Sequence, residues 1–353
     1  MKTLLFIRNN PIDGTYGGSL RTEEAYGALS RKYIVIDYFI NKKRNKLLSF
    51  LRNLFLYSGN LSPFDSLKII KIIKNDRNIN IVFFDVSLHG RLAKKIRKLY
   101  PKIKIIMNFH NAERLYYQDV VRTNRLFYFP LLLAATYNER LSVLNSDLNI
   151  FITDEDRRAV NAYEVPSVII PCTLTDKYIS CNDRVINGMD NYILFVGIAT
   201  SINLHGIHLL INEVAPHVSC KIIIVGKGIY SALRGKNIPL NVVINDYVED
   251  LSELFINAAA FIAPLFYGAG MKIKIAEAMM YGKKIIATSR AFVGYNIDNT
   301  SCIVCDKSED FVKEINNLNM LKKYYKESRQ LFLDYYSSSN NDLYYSQLDE
   351  LIE

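Results

Sequence analysis

The chain has 353 residues, 50% of them hydrophobic, and its 44 Lys and Arg outnumber 35 Asp and Glu for a formal net charge of +9. Such a length and apolar content support two packed domains and exclude a disordered or fibrous class. The positive balance calls for an anionic partner. Zinc-finger spacing, RNP-type aromatics and a helix-turn-helix signal are all missing, so the charge points to a membrane surface rather than to nucleic acid.

At the N-terminus, MKTLLFIRNN is continuously apolar only from Leu4 to Ile7, too short for a signal-peptide core and suited to a first strand. The five cysteines then read as reduced thiols of a cytosolic protein. In the next loop, NNPIDGTYGGSLR, Gly14, Gly17 and Gly18 precede a helix, which fits either a tight turn or a close approach of backbone to a ligand. Arg21 on the first turn of that helix is a candidate to face an acceptor. Residues 41–57, NKKRNKLLSFLRNLFLY, form a basic amphipathic stretch suited to a membrane surface or to packing within the domain. The apolar block Leu126 to Ala135 has about half the length needed to span a bilayer. His89, in VSLHGRLA, suits helix-start packing or a place in a cleft. His110, in IIMNFHNAERLYYQD, directly follows an apolar strand, at the end where α/β enzymes expose their working groups. It is the first candidate for catalysis, with Asn111 and Glu113 beside it for positioning; a solvent-facing loop histidine is the other reading.

Short Ile/Val/Phe-rich runs alternate with helix-length segments along the chain: TLLFI, YIVIDYF, IVFFD, KIIMNF, LNIFIT and SVIIP, then YILFVG, KIIIVG, NVVIND, AFIAPL, KIIATS and SCIVC. This pattern predicts parallel sheets covered on both faces, in an α/β protein of two doubly wound domains. The polar stretch from Thr175 to Asn191 divides them, giving an N-terminal domain over 1–175 and a C-terminal domain over 190–336. In the second domain VGKG contains a short glycine turn at Gly226, but Ser231 replaces the third glycine of a dinucleotide fingerprint. The Cys302/Cys305 pair lies in a run that reads as a buried strand, without the second pair a zinc site needs.

The most informative segment is FIAPLFYGAGMKIKIAEAMMYGKKIIATS, Phe261 to Ser289. Gly268 and Gly270 allow close backbone approach, and a helix expected to begin near Met271 aims its unpaired amides at that loop. Lys272 and Lys274 sit at the end of the helix where a cation opposes the macrodipole, which suits them to hold an anion such as a diphosphate. Glu277 shares a face with Lys274; it either accepts from a ribose or makes an i, i+3 ion pair. No D-x-D motif or carboxylate cluster appears near this segment, so no cofactor and no essential metal are expected.

This segment resembles the signature G-x-G-x-K-x-K-x-x-E-A-M of retaining glycosyltransferases of the GT-B fold, the glycosyl transferases group 1 (family 4-like) family. Ile193 to Gly228 is similar to the opening of that family's donor domain. The resemblance implies two facing Rossmann-like domains with an interdomain cleft, the first binding acceptor and the last helix, 342–353, returning to it. It implies diphosphate contacts from Gly17, Gly18, Gly268, Gly270, Met271, Lys272 and Lys274, ribose binding by Glu277, and base contacts from Gly226, Val248 and Glu249. His110 would approach the donor sugar or the acceptor hydroxyl. Two features depart from the pattern: Ala269 stands where many members have a second glutamate, and Gly197 to Gly206 lacks the usual arginine and lysine. The implied activity is transfer of a hexose from a UDP- or GDP-linked sugar to a lipid-linked or oligosaccharide acceptor in capsule or O-antigen synthesis, on the cytoplasmic face of the membrane. A nucleotide-sugar 2-epimerase and a non-catalytic donor-binding subunit are the alternatives.

Overall fold

The computed structural model describes residues 2–13, 17–40, 46–124, 128–160, 165–178, 191–268 and 270–352. Gly14, residues 41–45, Leu126, most of the 175–191 divider and Ala269 lie outside them. The chain divides into two compact units, Met1–Cys172 with Asn341–Glu353, and Thr173–Asn340.

In the first unit six parallel strands, β1 (Thr3–Arg8), β2 (Ile34–Phe39), β3 (Ile79–Phe84), β4 (Lys104–Phe109), β5 (Leu148–Phe151) and β6 (Ser167–Ile169), lie in the order β2-β1-β3-β4-β5-β6. Their continuous apolar runs are explained by burial on both faces: Leu4 and Phe6 enter one core, Leu5 and Ile7 the other. Phe6 stacks on Phe83 of the neighbouring strand at 5.0 Å between centroids. Tyr345 and Leu348 of the last helix, Asn341–Ile352, belong to the first of these cores, beside Ala25 and Ala28 of the helix Gly17–Ser30. The chain order reverses direction between β1 and β3, so loops leaving those strands diverge and open a crevice at their carboxyl ends.

The second unit repeats the plan with β7 (Tyr192–Val196), β8 (Lys221–Val225), β9 (Val242–Asn245), β10 (Ala260–Ala263), β11 (Lys284–Ala287) and β12 (Cys302–Val304), ordered β12-β11-β10-β7-β8-β9 and all parallel. Its switch point lies between β7 and β10. The α/β, doubly wound expectation is met, and every apolar run named from the sequence contains a strand. Cys302 and Cys305 are buried free thiols at the last strand. No helix among the described residues is long and apolar enough to cross a membrane.

Candidate active site

At the switch point of the second unit, the chain leaves β10 through Gly268 and Gly270, with φ of +100° and +70°, a left-handed geometry that strains any residue with a Cβ. The following helix starts at Ile273, two residues later than expected, because Lys272 is extended (φ −96°, ψ 95°). Lys272 is therefore the N-cap and not a first-turn residue. No side chain caps this helix, so its first amides remain available to an anion. The Lys272 ammonium donates to the carbonyls of Gly268 (3.0 Å) and Gly270 (2.9 Å), bracing the turn, while Tyr295 Oη donates to the Lys272 carbonyl at 2.9 Å.

Lys274 points elsewhere. Its Nζ donates to Asn203 Oδ1 at 3.0 Å and lies 4.6 Å from the Phe195 ring centroid. A Cβ at Gly197 would come within 2.7 Å of that nitrogen, so the glycine is what admits it. Burial, reinforced by Lys272 and opposed by Glu277, pushes the Lys274 ammonium down to about 7. The i, i+3 ion pair with Glu277 is not formed. Glu277 is partly exposed on the same helix, pushed up by burial and held back by Lys177 and Lys274. Met271 lies partly buried on the extended approach to the helix.

Arg290, in the loop after β11, donates from Nε to the Gly268 carbonyl at 3.0 Å and adds a second cationic side chain to the turn beside Lys272. The arginine lies just beyond the segment Phe261 to Ser289, and nothing in that motif points to it. Its place after the strand next to β10 is the signal that could have found it. Asn203 had no such signal.

Gly226 has a packing role that its sequence context did not reveal: a Cβ there would sit 2.0 Å from the Gly197 carbonyl oxygen, so the two strand ends abut through backbone alone. Val248 is half-buried and Glu249 exposed in the loop after β9.

In the first unit a cavity of about 560 Å³ opens at the carboxyl ends of β1, β3 and β4, lined among others by Asn9, Asn10, Gly18, Arg52, Tyr57, His110, Asn111 and Glu113. Gly17 begins the adjoining helix. Asp85, fully buried at the end of β3, accepts from Thr22 Oγ1 at 2.5 Å and from Asn108 Nδ2 at 3.4 Å, and its Oδ1 lies 3.3 Å from His110 Nε2. Asn108 Nδ2 also lies 3.3 Å from that nitrogen, so Asp85 and Asn108 together orient the imidazole. Asp85 closes the run IVFFD at a strand end as His110 follows KIIMNF, and that shared position is the sequence signal that marks it.

Glu113, 6% exposed, is pushed up to about 8 by burial and then by Glu139 and Asp156, so it is chiefly protonated at neutral pH. His89 is buried and lowered to about 4 by desolvation; its Nε2 lies 2.7 Å from Asn9 Oδ1, and it therefore positions Asn9 as a neutral packing residue. Arg21 is 1% exposed and outside the cavity lining; it donates to the Pro171 carbonyl at 3.1 Å and to Asn108 Oδ1 at 3.5 Å, behind the Asp85–His110 pair. Its spacing with Ala25 and Ala28 turns it toward the sheet.

Two doubly wound units, each with polar groups gathered at a switch point, define a fold of the GT-B glycosyltransferase class. Residues 190–319 match the family model described as Glycosyl transferases group 1. Among known proteins, the chain is 27% identical over 234 residues to an uncharacterized 44.6 kDa protein in the cps region of Klebsiella pneumoniae, covering 60% of this chain and 58% of that one. Solved structures share the fold over 99% of this chain: Anabaena HepE in complex with UDP-glucose (TM-score 0.66, 12% identity, 100% of that chain), and the lipopolysaccharide outer core galactosyltransferase WaaB in its apo form (TM-score 0.65, 15% identity, 99% of that chain). A glycosyltransferase from Rickettsia africae has a TM-score of 0.67 at 14% identity, with 99% of this chain and 98% of that one covered.

Proposed function

We propose that the protein is a retaining hexosyltransferase that moves a sugar from a UDP- or GDP-linked donor to a lipid-linked glycan during bacterial surface polysaccharide synthesis, at the cytoplasmic face of the membrane. The observation that carries this reading is the turn from Gly268 through Lys272 into an uncapped helix, with Lys274, Glu277 and Arg290 around it. Main-chain amides and cations there stabilise the diphosphate leaving group, and Glu277 accepts from the ribose. These cations take the part a divalent metal plays elsewhere, so turnover persists in EDTA. In the first unit the Asp85–His110 pair positions the acceptor hydroxyl, with the protonated Glu113 as a neighbouring donor. The family match over the second unit and the capsule-region relative support the reading. The basic segment 41–57 attaches the protein to the membrane.

The test is thermal stability with UDP, GDP, ADP and CMP. One nucleotide at about 100 times its dissociation constant adds about 2.7 kcal/mol, and Glu277→Ala removes the shift. Silence toward all four at millimolar concentration sinks the donor site.

A further inference from the structure

Beside the polar cavity of the first unit lies a second hollow of about 430 Å³, whose walls are Leu48, Leu51, Phe55 and Pro63 together with Arg52, Tyr57 and Arg91. Arg52 and Tyr57 also line the cavity that contains His110 and Glu113, so one pair of side chains separates a hydroxyl-binding space from an apolar one. The apolar wall faces outward: Leu48 is 47% and Phe55 70% exposed on or just after the helix Lys46–Leu54.

Two guanidiniums stand at this junction without a carboxylate partner among the described residues. Arg52 donates to the Asn60 carbonyl and to Ser49 Oγ, both at 3.1 Å. Arg91 donates to the Phe55 carbonyl and lies 4.3 Å from the Tyr57 ring centroid. These bonds fix each fork while leaving N–H donors over, and a guanidinium stays charged at any physiological pH. Permanent cations beside an exposed apolar wall match an amphiphile with phosphate at the boundary between its chain and its polar head.

We propose that this hollow binds the lipid-phosphate stem of the acceptor. The hydrocarbon lies against Leu48, Leu51 and Phe55, the phosphate or diphosphate meets Arg52 and Arg91, and the attached sugar enters the cavity toward His110. This rests on the glycosyltransferase reading and narrows its acceptor to a glycosyl phosphate or diphosphate of a long-chain alcohol.

The probe is geranylgeranyl diphosphate, titrated calorimetrically against the full chain, with inorganic pyrophosphate and geranylgeraniol as its separate halves. The intact probe binds at least about tenfold more tightly than either half, and Arg52→Gln and Leu51→Asp each weaken it by about tenfold or more. Leu51 is exposed and Arg52 half-buried, and an unchanged melting point shows the variants folded. Absent binding, or binding indifferent to both substitutions, overturns the proposal. So does equally tight binding of monomeric short-chain phosphatidylglycerol, which would make the hollow a general phospholipid headgroup site. Nucleotide binding is measured on the same samples. If a nucleotide binds and the probe does not, this proposal alone fails; if only the probe binds, the donor reading fails and the hollow stands.

Discussion

In the second unit all the candidate ligand groups around the turn except Arg290 lie within Gly268–Glu277, one turn and one short helix, and main-chain amides are prominent among them. The first unit works differently: Asn9, Arg52, Tyr57, Asp85, His110 and Glu113 converge as side chains from segments far apart along the chain. A main-chain site requires glycine geometry and an open helix end, so almost any disturbance of the backbone removes it. A side-chain site is set by burial and by its neighbours, and there single groups can be retuned. The contrast extends to ionisation, since burial lowers Lys274 to about 7 in one site and raises Glu113 to about 8 in the other.

The largest effect expected is on the backbone-built unit. Gly226→Val drives a side chain into the Gly197 carbonyl, 2.0 Å from where its Cβ would sit, and should cost about 3 kcal/mol in urea unfolding together with nucleotide binding. A variant as stable as the parent breaks the claim that these strand ends meet through backbone alone. Next comes the side-chain site. His110→Ala should lower turnover by about 100-fold with the nucleotide affinity unchanged, and Asp85→Asn should reproduce part of that loss. Equal losses in nucleotide affinity would show that the two sites do not divide the work as described.

The pH dependence of nucleotide binding sharpens the comparison further. Free Lys274 titrates near pH 7, and a bound diphosphate raises that value. Affinity is therefore full below about pH 7 and falls about tenfold per pH unit above it, until the raised value in the complex is reached. Calorimetry in buffers of different ionisation enthalpy detects the accompanying proton uptake, and Lys274→Arg, always charged, should flatten the profile. A flat profile in the parent removes the buried ammonium from the account. The smallest effect is a gain: Gly27→Ala adds a Cβ whose nearest neighbour is Arg31 Nη1 at 3.8 Å, and should stabilise the first unit by about 0.5–1 kcal/mol.

What the sequence determined by itself is what depends on local periodicity and on single residue types. Apolar runs such as TLLFI and KIIIV become strands buried on both faces because nothing polar interrupts them. The glycine turn at Gly268 and Gly270 was legible because only glycine adopts that backbone without strain. Only the tertiary structure decided what depends on burial and on convergence across the chain. It turned Arg21 inward, directed Lys274 to Asn203 in place of Glu277, and paired Asp85 with His110. It also set Arg52 and Tyr57 on the wall between a polar cavity and an apolar hollow. Those outcomes are sums over neighbours distant in sequence, and no spacing along the chain records which side chains a fold will bring within hydrogen-bond reach.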